Sequence, residues 1–309
     1  MDRPLVAKGL TKSFGDFTAV AGIDLSVEAG QTFGVLGPNG AGKSSTMKMV
    51  SSVSPRTGGD LQVFGLDPDL DGRQVRSRLG VVPQEDILDM DLTARENLMI
   101  YQRYFGIPRK HTGEKAKQLL DFMQLGEKAD SKVEPLSGGM KRRLTIARAL
   151  VNDPEMILLD EPTTGLDPQA RHLLWERLYR LKEQGVTLLL TTHYMDEAEQ
   201  LADRLVIMDN AKIVAEGSPT ELIASHTTRE VVELRFDDGD HDAGALAPVA
   251  AQSNLRVDEL PDRHLVYADD GDALIAHLLD QGVRPLGTYV RRSSLEDVFL
   301  TLTLSLIHI

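Results

Sequence analysis

The chain has 309 residues, of which 41% are hydrophobic, so it is long enough for two domains with ordinary cores. It contains no cysteine, which excludes disulfide bonds and thiolate metal sites and fits a reducing cytosol. A formal net charge of −13 disfavours general attraction to a phosphate backbone, so we do not expect nucleic acid as a partner. No signal-peptide pattern and no uncharged run near the roughly 18 residues of a membrane span are present, which indicates a soluble protein.

The first segment predicts antiparallel strands. Leu5–Leu10 and Ala19–Val27 are alternating apolar runs, and a turn is expected at Ser13–Gly15. Phe14 lies beside this turn. It is either a core residue or an exposed platform on which a base could stack, and the residues alone leave both possibilities open.

The next stretch fits the phosphate-binding pattern G-x-x-x-x-G-K-[ST] at every fixed position. An apolar strand, Thr32–Leu36, enters it and a helix follows, so backbone N–H groups would face one anion. Lys43 would reach the β- and γ-phosphates, and the Ser44 hydroxyl would hold Mg²⁺. A glycine-rich turn that binds nothing is the alternative. The expected phosphate contacts are Gly37, Pro38, Asn39, Gly40, Ala41, Gly42, Lys43, Ser44 and Ser45.

Polar residues follow three further strand patterns. Gln84 comes just after Leu79–Val82 and is a candidate to contact Mg²⁺ or an attacking water, because ligands of α/β sheets bind at the carboxyl ends of strands. The apolar run from Met156 ends in Asp160 and Glu161. We expect Asp160 to bind Mg²⁺ through water and Glu161 to polarise the attacking water. Structural ion pairing is the alternative for both carboxylates.

The strand Val186–Thr192 leads to His193. A single histidine is usually structural, but this position favours contact with a γ-phosphate. The turn Gly165–Pro168, which contains Asp167, precedes a helix over Gln169–Gln184, and another helix is expected near Met195–Ala202.

Residues 91–152 predict a helical insert within the sheet domain. Thr93 and Glu96 form a capping-box pattern, and a second helix is expected over Gly113–Leu125. A third helix begins at Ser137, Gly138 and Gly139, either as a second anion-binding helix start or as a plain serine N-cap. The following basic residues, Lys141, Arg142 and Arg143, are interpreted as a solvated helix face.

The C-terminal segment differs in composition. Its order of elements, β-α-β-β-α-β, predicts a small ferredoxin-like α+β domain with an acidic turn at Asp237–Asp242. We therefore expect two domains, residues 1–224 and 225–309, the second regulatory or dimer-supporting. Residues Leu304–Ile309 receive no role.

Taken together, these motifs resemble the ATP-binding cassette family of transporter ATPases from Leu5 to about Ala224. Gly37–Ser45 matches Walker A, Gln84 the Q-loop, Leu136–Met140 the signature, Met156–Glu161 Walker B with the catalytic glutamate, Gly165–Asp167 the D-loop and His193 the H-loop. Phe14 falls where the family has its adenine-stacking aromatic residue. Met140 replaces the usual Gln of the signature, and Ser45 replaces a usual Thr.

The resemblance implies an α/β P-loop NTPase cassette with an antiparallel β subdomain, a helical insert and the added C-terminal domain. It implies ATP and Mg²⁺ as ligands, with Lys43, Gln84, Glu161 and His193 catalytic, and with Ser44, Gln84 and Asp160 at the metal. Two copies would pair head to tail, and Ser137, Gly138, Gly139 and Asp167 of one copy would complete the site of the other.

Within the family, the chain resembles the nodulation-factor and daunorubicin-resistance type of exporter ATPase, on Leu136–Arg143, Pro168–Arg171 and the tail Ser294–Phe299. This branch implies a separate integral-membrane permease, export of a drug, lipid or oligosaccharide, and a cytoplasmic location on the inner face of the membrane. One alternative is a soluble cassette ATPase that acts on ribosomes or DNA. Another is a regulatory nucleotide-binding module that hydrolyses little ATP.

Overall fold

A computed structural model describes residues 3–85, 87–236, 241–253 and 255–304. It divides into two compact units, Met1–Ser218 and Pro219–Ile309. The sequence placed the division after Ala224 instead. The difference arises because the helix Pro219–His226 packs against the C-terminal helix Leu295–Leu304 and so belongs to the second unit. Residues 237–240 of the expected acidic turn and residues 305–309 lie outside the described part.

The first unit contains two sheets. Its strands are β1 (Leu5–Phe14), β2 (Phe17–Val27), β3 (Thr32–Leu36), β4 (Gly58–Val63), β5 (Leu79–Val82), β6 (Met156–Asp160), β7 (Thr187–Thr192), β8 (Arg204–Asp209) and β9 (Lys212–Gly217). Its helices are α1 (Lys43–Val50), α2 (Gly72–Ser77), α3 (Ala94–Tyr104), α4 (Arg109–Phe122), α5 (Gly138–Ala149), α6 (Pro168–Glu183) and α7 (Met195–Leu201), with a 3-10 turn at Gly126–Lys128.

The smaller sheet is antiparallel, in the order β2-β1-β4, as the sequence predicts. The expected turn at Ser13–Gly15 is displaced, because β1 continues to Phe14 and pairs it directly with Phe17. The two-residue turn is therefore Gly15-Asp16, and Gly15 has a φ of 58°, a left-handed conformation that glycine adopts without steric cost.

The larger sheet has the order β5-β6-β7-β3-β8-β9 and is parallel except for β9. Strands β3 and β7 are buried along their whole length, which is typical of parallel strands covered on both faces. One apolar cluster lies between this sheet and the antiparallel sheet, around Phe33 and Leu158. A second cluster joins the opposite face to the helical insert, around Leu98 and Leu144.

The helical insert forms as expected, with shifted bounds. Thr93 caps α3, and its hydroxyl accepts a hydrogen bond from the backbone N–H of Glu96 at 3.1 Å. The predicted helix Gly113–Leu125 begins four residues earlier, directly after Pro108, which occupies the N-cap where no helical N–H is needed. In the described part of the chain, every helix is too short or too polar to cross a membrane.

The second unit is the predicted ferredoxin-like sandwich. Its elements are α8 (Pro219–His226), β10 (Glu230–Arg235), α9 (His241–Gln252), β11 (Val257–Leu260), β12 (Arg263–Ala268), α10 (Gly271–Asp280), β13 (Gly287–Arg292) and α11 (Leu295–Leu304). The antiparallel sheet has the order β11-β12-β10-β13. Helices α9 and α10 cover one face through Leu246, Leu274 and Leu278, whereas Leu300 of α11 packs near Val231 and Tyr267 on the other.

Candidate active site

Three neighbouring strands of the parallel sheet end at the same level. Leu36 pairs with Thr192 across β3 and β7, and Asp160 pairs with Thr191 across β6 and β7. The residues that follow these strands are the phosphate loop, Glu161 and His193. The motifs that are far apart in the sequence therefore meet at one edge, where α/β sheets bind ligands.

The phosphate loop needs glycine at two tightly packed positions. A Cβ atom on Gly37 would lie 2.2 Å from the carbonyl oxygen of Met208, and one on Gly42 would lie 2.3 Å from that of Ala19. Gly42 also has a φ of 106°, which a residue with a side chain rarely adopts. The loop leads into α1, whose first-turn N–H groups lack carbonyl partners in a preceding turn and so suit an anion.

Lys43 is turned towards the loop itself. Its Nζ atom donates hydrogen bonds to the carbonyl oxygens of Gly37, at 2.7 Å, and Pro38, at 3.0 Å. The same atom lies 3.7 Å from Oε1 of Glu161, and both side chains are buried. Burial lowers the pKa of Lys43, although the carboxylates of Glu161 and Asp160 oppose this shift.

Glu161 is the centre of the polar cluster. Its Oε2 atom lies 3.2 Å from Gln84 Nε2, from Thr164 Oγ1 and from His193 Nδ1. The backbone of Glu161 is left-handed, with a φ of 47°, a conformation that costs a non-glycine residue about 1–3 kcal/mol. This bend turns the chain out of β6 and aims the carboxylate into the cluster, so the predicted residues Glu161, Gln84, Lys43 and His193 are together.

The predicted metal ligands are close to one another. Ser44 Oγ lies 3.2 Å from Asp160 Oδ1, and the Thr191 hydroxyl also bonds to this carboxylate oxygen. Among the described residues, no group of three or more His, Cys, Asp or Glu side chains could hold a metal ion. A hydroxyl, a carboxylate and the Gln84 amide are nevertheless the hard oxygen donors that Mg²⁺ prefers when phosphates and waters supply the remaining ligands.

A cavity of about 350 Å³ lies over the phosphate loop. Its lining residues are Phe17, Ala19, Asn39, Gly40, Gly42, Lys43, Ser44, Ser45, Gln84 and Glu161. Phe14 is outside this set and is 55% exposed, so the interpretation of Phe14 as a core residue is wrong. Phe17, which the sequence analysis did not single out, lines the cavity instead and is 63% exposed.

The predicted residues for a second phosphate contact lie elsewhere on the surface. Ser137 caps α5 and accepts a hydrogen bond from Met140 N, and Asp167 caps α6 and accepts one from Ala170 N. Both caps are exposed, and neither lines the cavity. The two helix starts are neighbours, since a Cβ atom on Gly139 would lie 3.0 Å from Cβ of Ala170.

The interpretation of residues 141–143 as a solvated helix face is wrong for Arg142. Only 4% of this residue is exposed, and its guanidinium group donates a hydrogen bond to the carbonyl oxygen of Pro162, next to Glu161. A signal was present in the sequence, because Arg142 lies four residues before Ile146 and seven before Ala149, on the apolar side of the helix. The pattern analysis also missed Thr191, which supports Asp160, and the fully buried Glu197.

Comparison with known proteins agrees with this geometry. Residues 20–164 match the ABC transporter family, and residues 243–303 match the C-terminal domain of the nodulation factor export protein NodI. The Nod factor export ATP-binding protein I of Ralstonia nicotianae is 47% identical over 97% of this chain and 93% of its own length. The protein of the same name from Burkholderia lata is 45% identical over 97% of each chain.

Among solved structures, a dimeric ATP-binding cassette in a post-hydrolysis state, bound to ADP and Pi, superposes with a TM-score of 0.64. It is 27% identical and covers 69% of this chain and 98% of its own. The motifs, their convergence at one sheet edge and the near full-length relatives agree. The chain belongs to the ATP-binding cassette family and is an ATP-hydrolysing subunit of its transporters.

Proposed function

We propose that this ATPase works as a head-to-tail homodimer that drives export through a separate membrane permease. The incomplete site carries this proposal. The phosphate loop, Gln84 and Glu161 line one cavity, whereas the exposed Ser137 and the half-buried Gly139 lie outside it. A second copy related by a two-fold axis would bring its own exposed helix start over the bound ATP, giving two equivalent sites.

Each residue of the cluster has a distinct task in this proposal. Lys43 exchanges the carbonyls of Gly37 and Pro38 for the γ-phosphate, and His193 contacts the same group on its far side. Glu161 orients the attacking water, with Gln84 and Thr164 holding its carboxylate. Ser44, Asp160 and Gln84 would hold Mg²⁺, which supplies neutralisation of the phosphate charge.

The sequence motif predicts that Phe14 stacks on adenine, whereas the lining of the cavity favours Phe17 for this contact. Pro38, Asn39, Gly40 and Ala41 would shape the loop around the phosphates. Gly138 and Asp167, supplied by the second copy, would complete the contact between the two subunits.

The helical insert offers a surface for the permease. A groove of about 750 Å³ lies beside the end of α3 and includes Tyr101, Arg103, Tyr104 and Phe105. The Tyr104 ring is 78% exposed, and its edge contacts the Tyr101 ring, with the centroids 5.9 Å apart. An exposed aromatic ring beside partly buried ones and an arginine suits a helix from a protein partner. We propose that a permease helix binds here and holds the ATPase at the inner face of the cell membrane.

The relatives give the best guide to the exported substrate. They are Nod factor export proteins, and the match extends through the C-terminal unit. We propose a substrate of the drug, lipid or oligosaccharide type. The match in the second unit favours the exporter over a cassette ATPase that acts on ribosomes or DNA.

Replacement of Glu161 by Gln tests the proposal. The variant should bind ATP, hydrolyse it at least a hundredfold more slowly, and form an ATP-dependent dimer that is stable in size-exclusion chromatography with light scattering. Glu155→Gln is the matched control, because it makes the same change at the other end of β6, in an exposed ion pair with Arg78. Hydrolysis at the wild-type rate, or a monomer in saturating ATP, would reject the proposed roles.

A further inference from the structure

Arg142 is a buried cation on α5, the helix that begins at the signature motif. Its guanidinium group donates hydrogen bonds to carbonyl oxygens of two separate loops. The bonds run from Nε to Pro162, at 2.8 Å, from Nη1 to Pro83 and Gln84, at 2.6 and 3.4 Å, and from Nη2 to Asp160 and Glu161, at 2.9 and 3.1 Å. One side chain therefore joins the signature helix, the segment of Gln84 and the end of β6.

The chain segment that follows β6 needs hydrogen bonds from another part of the protein to hold its conformation. Glu161 leaves the strand in a left-handed conformation, and its N–H already bonds to Thr191. The carbonyl groups of Asp160, Glu161 and Pro162 face inwards, where an unpaired carbonyl would be costly. Arg142 bonds to all three, so it stabilises the bend that aims the Glu161 carboxylate.

The shape of the side chain is specific to arginine. A guanidinium group is planar and carries five N–H donors in fixed directions, so it can bond to several carbonyls at once. A lysine at this position would keep the charge but would present three donors from a single nitrogen. It could not span Pro83 on one side and Pro162 on the other with the same geometry.

We propose that Arg142 is a positioning residue for ATP hydrolysis. It fixes the positions of Glu161 and Gln84 relative to each other and connects both segments by hydrogen bonds to α5, the helix that Ser137 caps. A shift of that helix, as when a second copy engages it, moves the glutamate that orients water. This inference rests on the proposed roles of Glu161 and Gln84.

Arg143 provides a matched control on the same helix. It is also partly buried and bonds to backbone carbonyls, but these belong to Met123 and Gln124 in the helical insert, at 2.7 and 3.3 Å, and to Gly139 one turn earlier on α5, at 3.4 Å. Replacement of Arg143 removes a comparable set of hydrogen bonds to carbonyl groups but leaves the bonds to the segments of Gln84 and Glu161 in place. The pair therefore separates a positioning effect from a general loss of packing.

The experiment compares Arg142→Lys with Arg143→Lys. We expect the first to lower kcat at least tenfold while the dissociation constant of ATP changes less than threefold, and the second to keep kcat within threefold of wild type. The ATP affinity should persist because the hydrogen bonds of Arg142 described above go to the segments of Gln84 and Glu161. Thermal unfolding of both variants measures the stability change, and Arg142→Gln, which keeps a single amide group with two N–H donors, repeats the test.

The possible outcomes are separable. A kcat of Arg142→Lys within twofold of wild type, or equal losses in both arginine variants, would overturn the inference. Failure of both Arg142 variants to fold would also overturn it, because the residue would then be purely structural. Glu161→Gln is assayed in parallel. If that variant retains wild-type hydrolysis, the proposed function fails, whereas if it loses hydrolysis and Arg142→Lys does not, only the role of Arg142 fails.

Discussion

Phe14 and Phe17 pair directly across the hairpin of β1 and β2, so their rings project from the same face of the sheet. Ala19, two residues after Phe17, lines the cavity together with Phe17. Lys12 Nζ lies 4.7 Å from the centre of the Phe14 ring, so the ammonium group of Lys12 covers one face of that ring. Among the described residues, Phe17 is thus the aromatic residue that lines the cavity over the phosphate loop.

We expect Phe17→Ala to weaken ATP binding about tenfold, because stacking of a base on an aromatic ring contributes about 1–3 kcal/mol. Binding of inorganic triphosphate, which has no base, should not change, and Phe17→Tyr should restore ATP affinity. Isothermal titration with both ligands measures this. Phe14→Ala is the comparison, since the sequence motif predicts that Phe14 stacks on adenine. A loss of ATP affinity in Phe14→Ala alone would assign the base to Phe14.

We expect Tyr104→Ala to uncouple the ATPase from its permease. The ring lies on the exposed groove of α3, which shares no lining residue with the cavity over the phosphate loop, so hydrolysis by the isolated subunit should stay within twofold of wild type. Co-purification with the permease and any stimulation by it should fall at least tenfold. Val53→Ala is the control, since it truncates another exposed apolar side chain outside this groove. Normal assembly of Tyr104→Ala would place the permease surface elsewhere.

The buried Glu197 should make stability depend on pH. Burial raises the pKa of Glu197 above its ordinary value of 4.5, although its hydrogen bonds, including that from Trp175 Nε1, oppose the shift. The folded state therefore keeps a proton that the unfolded chain loses above pH 4.5 or so. Stability attributable to this group falls as pH rises, by about 1.4 kcal/mol for each pH unit until the folded group also ionises.

Replacement of Glu197 by Gln mimics the neutral acid and removes its titration. The variant should unfold at an equal or higher temperature than wild type at pH 8. The difference between the two unfolding temperatures should be smaller at pH 5. Glu199→Gln, an exposed position on the same helix, should shift the unfolding temperature little at either pH. An equal loss of stability in Glu197→Gln at both pH values would show that Glu197 is ionised in the folded protein.

Asp297 holds α11 to the sheet of the second unit. Its carboxylate is fully buried and accepts two hydrogen bonds from Arg291, at 2.7 and 2.9 Å. Burial alone would raise the pKa of Asp297, but the bonds from Arg291 and Ser294 outweigh it and hold the pKa below its ordinary value. This stabilisation is present above pH 3.8 or so and is lost as pH falls through the lower pKa of the folded state.

Asp297→Asn should therefore destabilise the second unit at pH 7 by about 1.5–3 kcal/mol, because Arg291 loses its charge-assisted hydrogen bonds to Asp297 and keeps its ion pair with Glu233. Hydrogen exchange of the amides in β10, β13 and α11 measures this loss locally. Asp262→Asn removes a carboxylate that is 61% exposed. It should change the free energy of opening measured by hydrogen exchange by less than about 1 kcal/mol. Equal protection in Asp297→Asn and wild type would contradict the assigned role of this ion pair.

The sequence predicts the parts of the site that are local motifs. The phosphate loop, the carboxylates after β6 and His193 after β7 each follow an apolar strand, and parallel pairing brings such strand ends together. The ferredoxin-like order of elements in the second unit can be predicted for the same reason, because its strands, helices and turns each have a local sequence pattern.

The contacts that support the site are not local. Three consecutive basic residues look like a solvated helix face, and the burial of Arg142 depends on loops 59 and 20 residues away in the chain. The choice between Phe14 and Phe17 depends on which hairpin residues pair, and a shift of the turn by one residue changes it. Tertiary packing decides both cases, and a single sequence does not specify it.

The alignment of β6 with β7 also limits the insertions and deletions that the gene can carry. Removal of one residue from Met156–Leu159 would shift the following carboxylates by about 3.3 Å and turn them to the opposite face of the sheet. A change of one aliphatic residue for another in this strand would usually cost under about 1.5 kcal/mol. The length of β6 is therefore constrained more tightly than its composition, whereas the surface turn at Gly126–Lys128 could absorb a change in length.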